Sequence, residues 1–200
     1  MLKQLSVIAI ALLATQANAA ISQPFVDVGF GQATFKDACS EGSIFGGAVS
    51  CDDKDTFFRL GAGVMIDPTF SAELSYVNFG EATYEEVTTS GDVKATIESQ
   101  AVALQLGAYA PVAQNLSVYG KLGFAFAKLE VAAIANGPLG TGVSSSDDSE
   151  IEAMVTAGAS YNVMPNVGVN FQVDYVPNVG TDDTGEEDLT AISVGLKYQF

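Results

Sequence analysis

Histidine and tryptophan are absent from this chain of 200 residues. Without histidine there is no imidazole base for a Ser-His or His-Asp mechanism, and no imidazole ligand for a metal. Lysine and arginine together number 8 against 24 aspartates and glutamates, a formal net charge of −16. Nucleic-acid backbones need a basic surface, so nucleic acid is disfavoured as a partner. Cysteine occurs only as Cys39 and Cys51. Two sulfurs without histidine do not complete a zinc site, and no cofactor is expected. Beyond the N-terminus, no apolar run approaches the ~20 residues of a membrane-spanning helix.

The N-terminus is different in kind. Met1-Leu2-Lys3 opens with a positive charge, Leu5 to Ala14 is apolar apart from Ser6, and Ala17-Asn18-Ala19 has small-x-small form. Residues 1–19 read as a secretory signal peptide, leaving 20–200 as one mature domain. Loss of Lys3 leaves a net charge of −17. An exported protein with an even pair of cysteines is expected to oxidise them, and a Cys39–Cys51 disulfide would contribute about 3 kcal/mol.

What the chain has in quantity is alternation. Its mean hydropathy is +0.26 despite the charge, and it carries 20 glycines and 12 phenylalanines. Ile192 to Phe200 alternates large apolar with small or polar residues, the pattern of a strand with one apolar and one polar face. Seven further segments behave alike, starting near Phe25, Phe57, Phe70, Thr96, Leu116, Ile151 and Val167. Each is near the roughly ten residues a tilted strand needs to cross a bilayer. The pattern predicts an all-β, eight-stranded antiparallel up-and-down transmembrane β-barrel. Connections at 67–69, 110–115 and 162–166 are short, and those at 36–55, 80–94, 129–149 and 177–188 are long. Short turns then face the periplasm and long loops the outside.

Charge follows the same division, since nineteen of the 24 acidic residues lie in or beside the long segments. Asp182, Asp183, Glu186, Glu187 and Asp188 form the densest group, and 137–149 is read as the least ordered loop. The non-lipid face carries Asp27, Arg59, Glu73, Lys121, Asp174 and Lys197, three acids and three bases, expected to pair inside the barrel. Phe25, Phe70, Tyr161, Tyr198 and Phe200 are placed at the periplasmic rim of the lipid face. Phe58, Tyr76, Phe126 and Tyr175 are placed at its outer rim.

Four stretches carry a resemblance: Phe25-Val26-Asp27-Val28-Gly29-Phe30-Gly31, Ala72 to Gly80, Tyr119 to Gly123, and Val194 to Phe200. Together the chain resembles the small OmpA-type, or opacity-type, outer-membrane β-barrels of Gram-negative bacteria. The resemblance implies an outer-membrane location among lipid and lipopolysaccharide. It also implies a C-terminal signal, with Tyr198 and Phe200, read by the barrel assembly machinery. The resemblance covers the barrel alone, so the wall tethering supplied by OmpA's further domain is not carried over.

These residues point to a non-enzymatic integral outer-membrane protein, with an envelope role or a surface-interaction role through acidic loops. Divalent cations at those loops, alone or bridging to lipopolysaccharide phosphates, would answer the carboxylate excess. The alternatives are a narrow channel, a small-ligand-binding barrel and a secreted soluble binder. Glu73 and Asp174 are the acids an enzyme would use, and neighbouring lumen cations explain them structurally first.

Overall fold

The computed structural model describes residues 23–36, 38–39, 48–89, 91–138, 140–180 and 187–200. The expected signal peptide at 1–19, and Asp182, Asp183 and Glu186, lie outside them. Nine strands follow in order: β1 (Gln23–Phe35), β2 (Ala48–Asp52), β3 (Lys54–Met65), β4 (Phe70–Thr88), β5 (Gly91–Ala113), β6 (Leu116–Gly137), β7 (Gly140–Met164), β8 (Val167–Val179) and β9 (Glu187–Gln199). Eight close into an antiparallel ring, each beside its neighbour in the chain. The first and last pair from Phe25↔Gln199 to Phe35↔Leu189. Closure leaves no edge inside the bilayer, where unpaired backbone groups would cost several kcal/mol each.

The strand outside the ring, β2, is an outer continuation of β3. β3 pairs with the inner half of β4, from Phe58↔Asn78 to Met65↔Ser71. β2 pairs with the outer half, from Ala48↔Val87 to Asp52↔Thr83. A disulfide joins Cys51 on β2 to Cys39 in the preceding loop, with Cα atoms 5.9 Å apart.

Two of the expected long loops are strand. β4 and β5 stay paired up to Thr88↔Gly91, and β6 and β7 up to Gly137↔Gly140. Within the stretch 137–149, expected to be the least ordered, residues 140–149 form the outer part of β7. Toward the tip of the β6–β7 hairpin both faces are exposed, whereas Ala82, Glu86 and Leu129 are still buried lower down, so the apolar/polar alternation fades while the backbone ladder continues. β-branched residues such as Thr83, Val87, Val93, Ile97 and Val131 support it.

Parity divides the two faces as expected along most strands. Leu104, Leu106, Leu122, Phe124, Val194 and Leu196 all stand half or more exposed on the outside. A continuous apolar belt of this size is out of place in water and at home in lipid. Phe70, Tyr161, Tyr198 and Phe200 stand at its periplasmic rim and Phe58, Tyr76, Phe126 and Tyr175 at its outer rim. Phe25 is a correction: it is buried inside, with Met65, Tyr109 and Tyr119. It shares the parity of Asp27, and alternation counts position, not hydrophobicity.

The interior was expected to be ionic throughout, and it is layered instead. Above the charged level, the inward positions become apolar: Phe35, Phe57, Val77, Phe79, Leu129, Met154, Val176 and Leu189 fill the outer half together with small alanines. Phe57 and Phe79 are wholly buried, with ring centroids 5.4 Å apart.

Candidate functional site

The polar layer is organised by one guanidinium. Arg59 projects inward from β3, where Gly29 and Gly61 flank it on β1 and β3 without side chains. Its Nε lies 3.4 Å from Asp27 Oδ1 and its Nη1 3.3 Å from Asp174 Oδ1. Its Nη2 pairs with Glu73 and also donates to Gln105 Oε1 at 3.3 Å. Lys121 donates to the other oxygen of Glu73 at 2.6 Å. Two bases thus meet three acids at this level, and the acids come from β1, β4 and β8.

Neutral side chains complete the layer. Thr156 donates to Asp174 Oδ1 at 2.5 Å and accepts from Gln105 Nε2 at 2.9 Å. Gln172 donates to Asp174 Oδ2 at 2.7 Å and accepts from Tyr119 at 3.1 Å. Gln105, Thr156, Gln172 and Tyr119 were on the correct face by parity, but parity alone does not single them out. The desolvation of each buried ion costs several kcal/mol, and these bonds offset most of it; Asp27 Oδ2 and Arg59 Nε are left without a hydrogen-bond partner among the described residues. Glycine makes the room: a Cβ on Gly61 would sit 2.4 Å from Asp27 Oδ2, and one on Gly158 2.5 Å from the Tyr119 ring.

Lys197 does not join this layer. It stands directly opposite Asp27 in the β1–β9 register, yet Asp27 turns to Arg59. Lys197 reaches toward the periplasm, with Nζ 3.9 Å from the centre of the Phe25 ring and 4.7 Å from that of Tyr109. The three-against-three pairing expected from sequence is therefore two against three, with the sixth charge held by aromatic faces.

The extracellular end carries a second constellation, visible only in the register. Glu81 of β4 opposes Glu98 of β5, Glu98 opposes Glu130 of β6, and Glu130 opposes Asp147 of β7. Four carboxylates thus form one row across four strands, at Cβ spacings of about 5 Å. All four are exposed. Along β6 the outward positions run Leu122, Phe124, Phe126, Lys128, Glu130, so the row lies directly above the aromatic rim. Lys128 pairs with Glu130 and lies 3.8 Å from Asp147 Oδ2. Among the described residues, no group of three or more His, Cys, Asp or Glu side chains converges as a metal site.

Beyond this row β7 has one neighbour among the described residues. Gly140 to Ser149 pair with β6, whereas pairing with β8 begins only at Val155↔Tyr175 among the described residues. Lys36 and Asp188 tie the β1 and β9 ends at 3.0 Å. Asp188 also accepts from Tyr175 at 3.1 Å and from the Asn178 amide at 3.2 Å. These hydrogen bonds, Lys36 foremost, hold its pKa below the ordinary carboxylate value.

A closed antiparallel barrel, apolar outside and ionic within, with aromatic rims at two heights, defines an integral protein of the Gram-negative outer membrane. The chain matches the Outer membrane protein beta-barrel domain family over residues 5–200, and it belongs to that family. It is 28% identical over 148 residues to Outer membrane protein A of Yersinia pseudotuberculosis serotype I (strain IP32953), a match covering 71% of this chain and 40% of that protein. The chain thus spans well under half the length of that relative. Among solved structures it is similar to Ail, the attachment invasion locus protein of Yersinia pestis, with a TM-score of 0.56 and 15% identity, covering 90% of this chain and 100% of that one. It is also similar to OprG of Pseudomonas aeruginosa, with a TM-score of 0.51 and 16% identity, covering 89% and 96%. At these identities the likeness is one of fold.

Proposed function

We propose that this is a non-enzymatic envelope protein that engages the lipopolysaccharide headgroup layer through its extracellular carboxylates, with divalent cations as bridges. The observation that carries this reading is the row Glu81, Glu98, Glu130 and Asp147. Like charges directly opposed on a sheet are unfavourable, and Lys128 offsets only part of the repulsion. The row stands at the height where a lipid headgroup would meet it. A divalent cation shared between one or two of these carboxylates and a lipid phosphate needs no preformed cage of protein ligands, because such ions keep waters and accept mixed oxygen donors. Export by residues 1–19, the Cys39–Cys51 staple on the surface loop and assembly through Tyr198 and Phe200 belong to the same reading.

The test is the unfolding temperature of the barrel in bilayers containing lipopolysaccharide, read as the loss of the compact band on an unboiled gel. Millimolar magnesium is expected to raise it in the wild type, and to raise it little in a Glu98→Gln/Glu130→Gln double variant. An equal rise in both proteins, or none in either, contradicts the reading.

The open edge of β7 favours a second reading, recognition of an extended partner strand. Among the described residues, Gly140 to Asp147 have no partner strand on that side, roughly 25 Å of ladder. The structure of Ail has been solved with the heparin analogue sucrose octasulfate. A polyanion does not suit the acids here, and a basic segment would. Hydrogen-exchange protection of residues 141–149 by a basic strand-forming peptide supports this second role; unchanged exchange removes it.

A further inference from the structure

The periplasmic mouth of the barrel is a cup with a cation at its floor. Its cavity of about 220 Å³ is lined by turn and terminal residues including Gln23, Ser117, Ser160, Asn162 and Lys197. Lys197 is only 8% exposed. Among the described residues its Nζ has no carboxylate within ion-pairing distance. It contacts Tyr109 Oη at 3.4 Å and Met65 Sδ at 3.7 Å. A buried ammonium held only by ring faces and two weak acceptors lacks a counter-charge, which proteins ordinarily supply.

Neither nearby acid forms an ion pair with Lys197, although Asp27 Oδ2 has no hydrogen-bond partner of its own among the described residues. Asp27, opposite in register, faces Arg59. Asp67, on the rim, accepts the amides of Thr69 at 2.6 Å and Phe70 at 2.8 Å through Oδ1. The apolar layer closes the lumen above, so the cup opens only to the periplasm. Hydroxyl and amide side chains on β1, β6 and β7 line the same cavity, with the Asp67 carboxylate at its rim, and such neutral donors complete the shell of a small oxyanion.

We infer that this cup binds a compact oxyanion, a phosphate or a carboxylate, with Lys197 as its charge and the Ser117, Ser160, Asn162 and Gln23 side chains as neutral donors. The cavity is below the range of drug-sized pockets, which begins at about 300 Å³, and suits an ion with a few waters. Free phosphate and the carboxyl end of a peptide present the same chemistry.

The full-length protein, folded in detergent micelles, is titrated at constant ionic strength with inorganic phosphate and, separately, with N-acetylglycine, following the Lys side-chain NMR signals. The Lys197 signal is expected to shift saturably with at least one anion, while that of the exposed Lys54 stays still. Lys197→Met is expected to weaken binding about tenfold or more, and Lys197→Arg to keep it within about threefold. Saturation by phosphate alone assigns the free ion; saturation by N-acetylglycine alone assigns a chain terminus. No saturable shift with either anion, as an internal Asp27–Lys197 pair would give, overturns the inference, as does equal binding by Lys197→Met. Should Lys197→Met fail to give the compact band, the wild-type Lys197 shift decides alone.

Discussion

Arg59 and Asp174 are 115 positions apart in the chain, and their side chains meet inside the barrel at 3.3 Å. The contact links β3 to β8, which are not neighbours in the ring, so it braces the barrel across its lumen. Arg59→Met removes the one cation shared by Asp27, Glu73 and Asp174, leaving Glu73 with Lys121 and Asp27 and Asp174 with no paired base. The expected cost is about 3–5 kcal/mol. Denaturant unfolding in micelles checks it, and a change below about 1 kcal/mol would show that the layer rearranges without it.

Gly123 is a packing requirement of the sheet itself. A Cβ there would lie 1.9 Å from the carbonyl oxygen of Leu104, whereas one on Gly142 meets nothing within 4 Å. Gly123→Ala is expected to cost about 1–3 kcal/mol through strand displacement. Gly142→Ala should stay within about 0.5 kcal/mol. The same unfolding measurement compares them, and equal stability would contradict the close approach of β5 and β6.

Leu122 sits near the middle of the apolar belt and is 65% exposed. Leu122→Arg is expected to cost about 2–4 kcal/mol in a bilayer. Val143→Arg, on the hairpin beyond the belt, should be nearly neutral. Folding yield into vesicles reads the difference; similar yields would displace the belt from lipid.

The apolar layer around Phe57 and Phe79 closes the lumen, and an eight-stranded barrel has an interior that side chains can fill. Planar-bilayer recordings are therefore expected to show no reproducible current steps. Steady unitary steps from heat-shifting protein would contradict the closed interior and revive the channel.

Asp188 joins the β1 and β9 ends in a pH-dependent way. Its pKa is lowered in the folded state, chiefly by Lys36. The tie therefore stabilises above the unfolded value of about 3.9 and is lost as pH falls through the lower folded value. The pair is largely exposed on the Lys36 side, so its worth is under about 1 kcal/mol. The Asn178 amide signal should titrate with a midpoint below about 3.9, and Asp188→Asn should flatten that titration. A midpoint at or above the ordinary value would remove the tie.

Much of this architecture is legible because a strand in a membrane has only two faces. Parity put Asp27, Arg59, Glu73, Lys121, Asp174 and Lys197 on one of them and Leu122 and Phe124 on the other. Parity does not say how far along the axis a long side chain leans, so Asp27 and Lys197, opposed in register, part company. It does not override the habit of reading aromatics as lipid-facing, which misplaced Phe25. Nor does it mark strand ends once both faces are wet, and so the hairpins at 80–94 and 129–149 read as loops. The row from Glu81 to Asp147 needs the alignment of four strands, which hydrogen bonds and turn lengths set and no single segment displays.

The most direct test of a barrel that crosses the outer membrane with acidic hairpins outside is thiol labelling on intact cells. The two native cysteines are joined, and the described residues hold no free thiol. Ser145→Cys lies on the outer half of β7 and Asn115→Cys at a short turn, both at exposed positions. A membrane-impermeant maleimide is expected to label Ser145→Cys on whole cells and Asn115→Cys only after the outer membrane is permeabilised. Labelling of Asn115→Cys on whole cells, or protection of Ser145→Cys there, would contradict the orientation on which the proposed function rests.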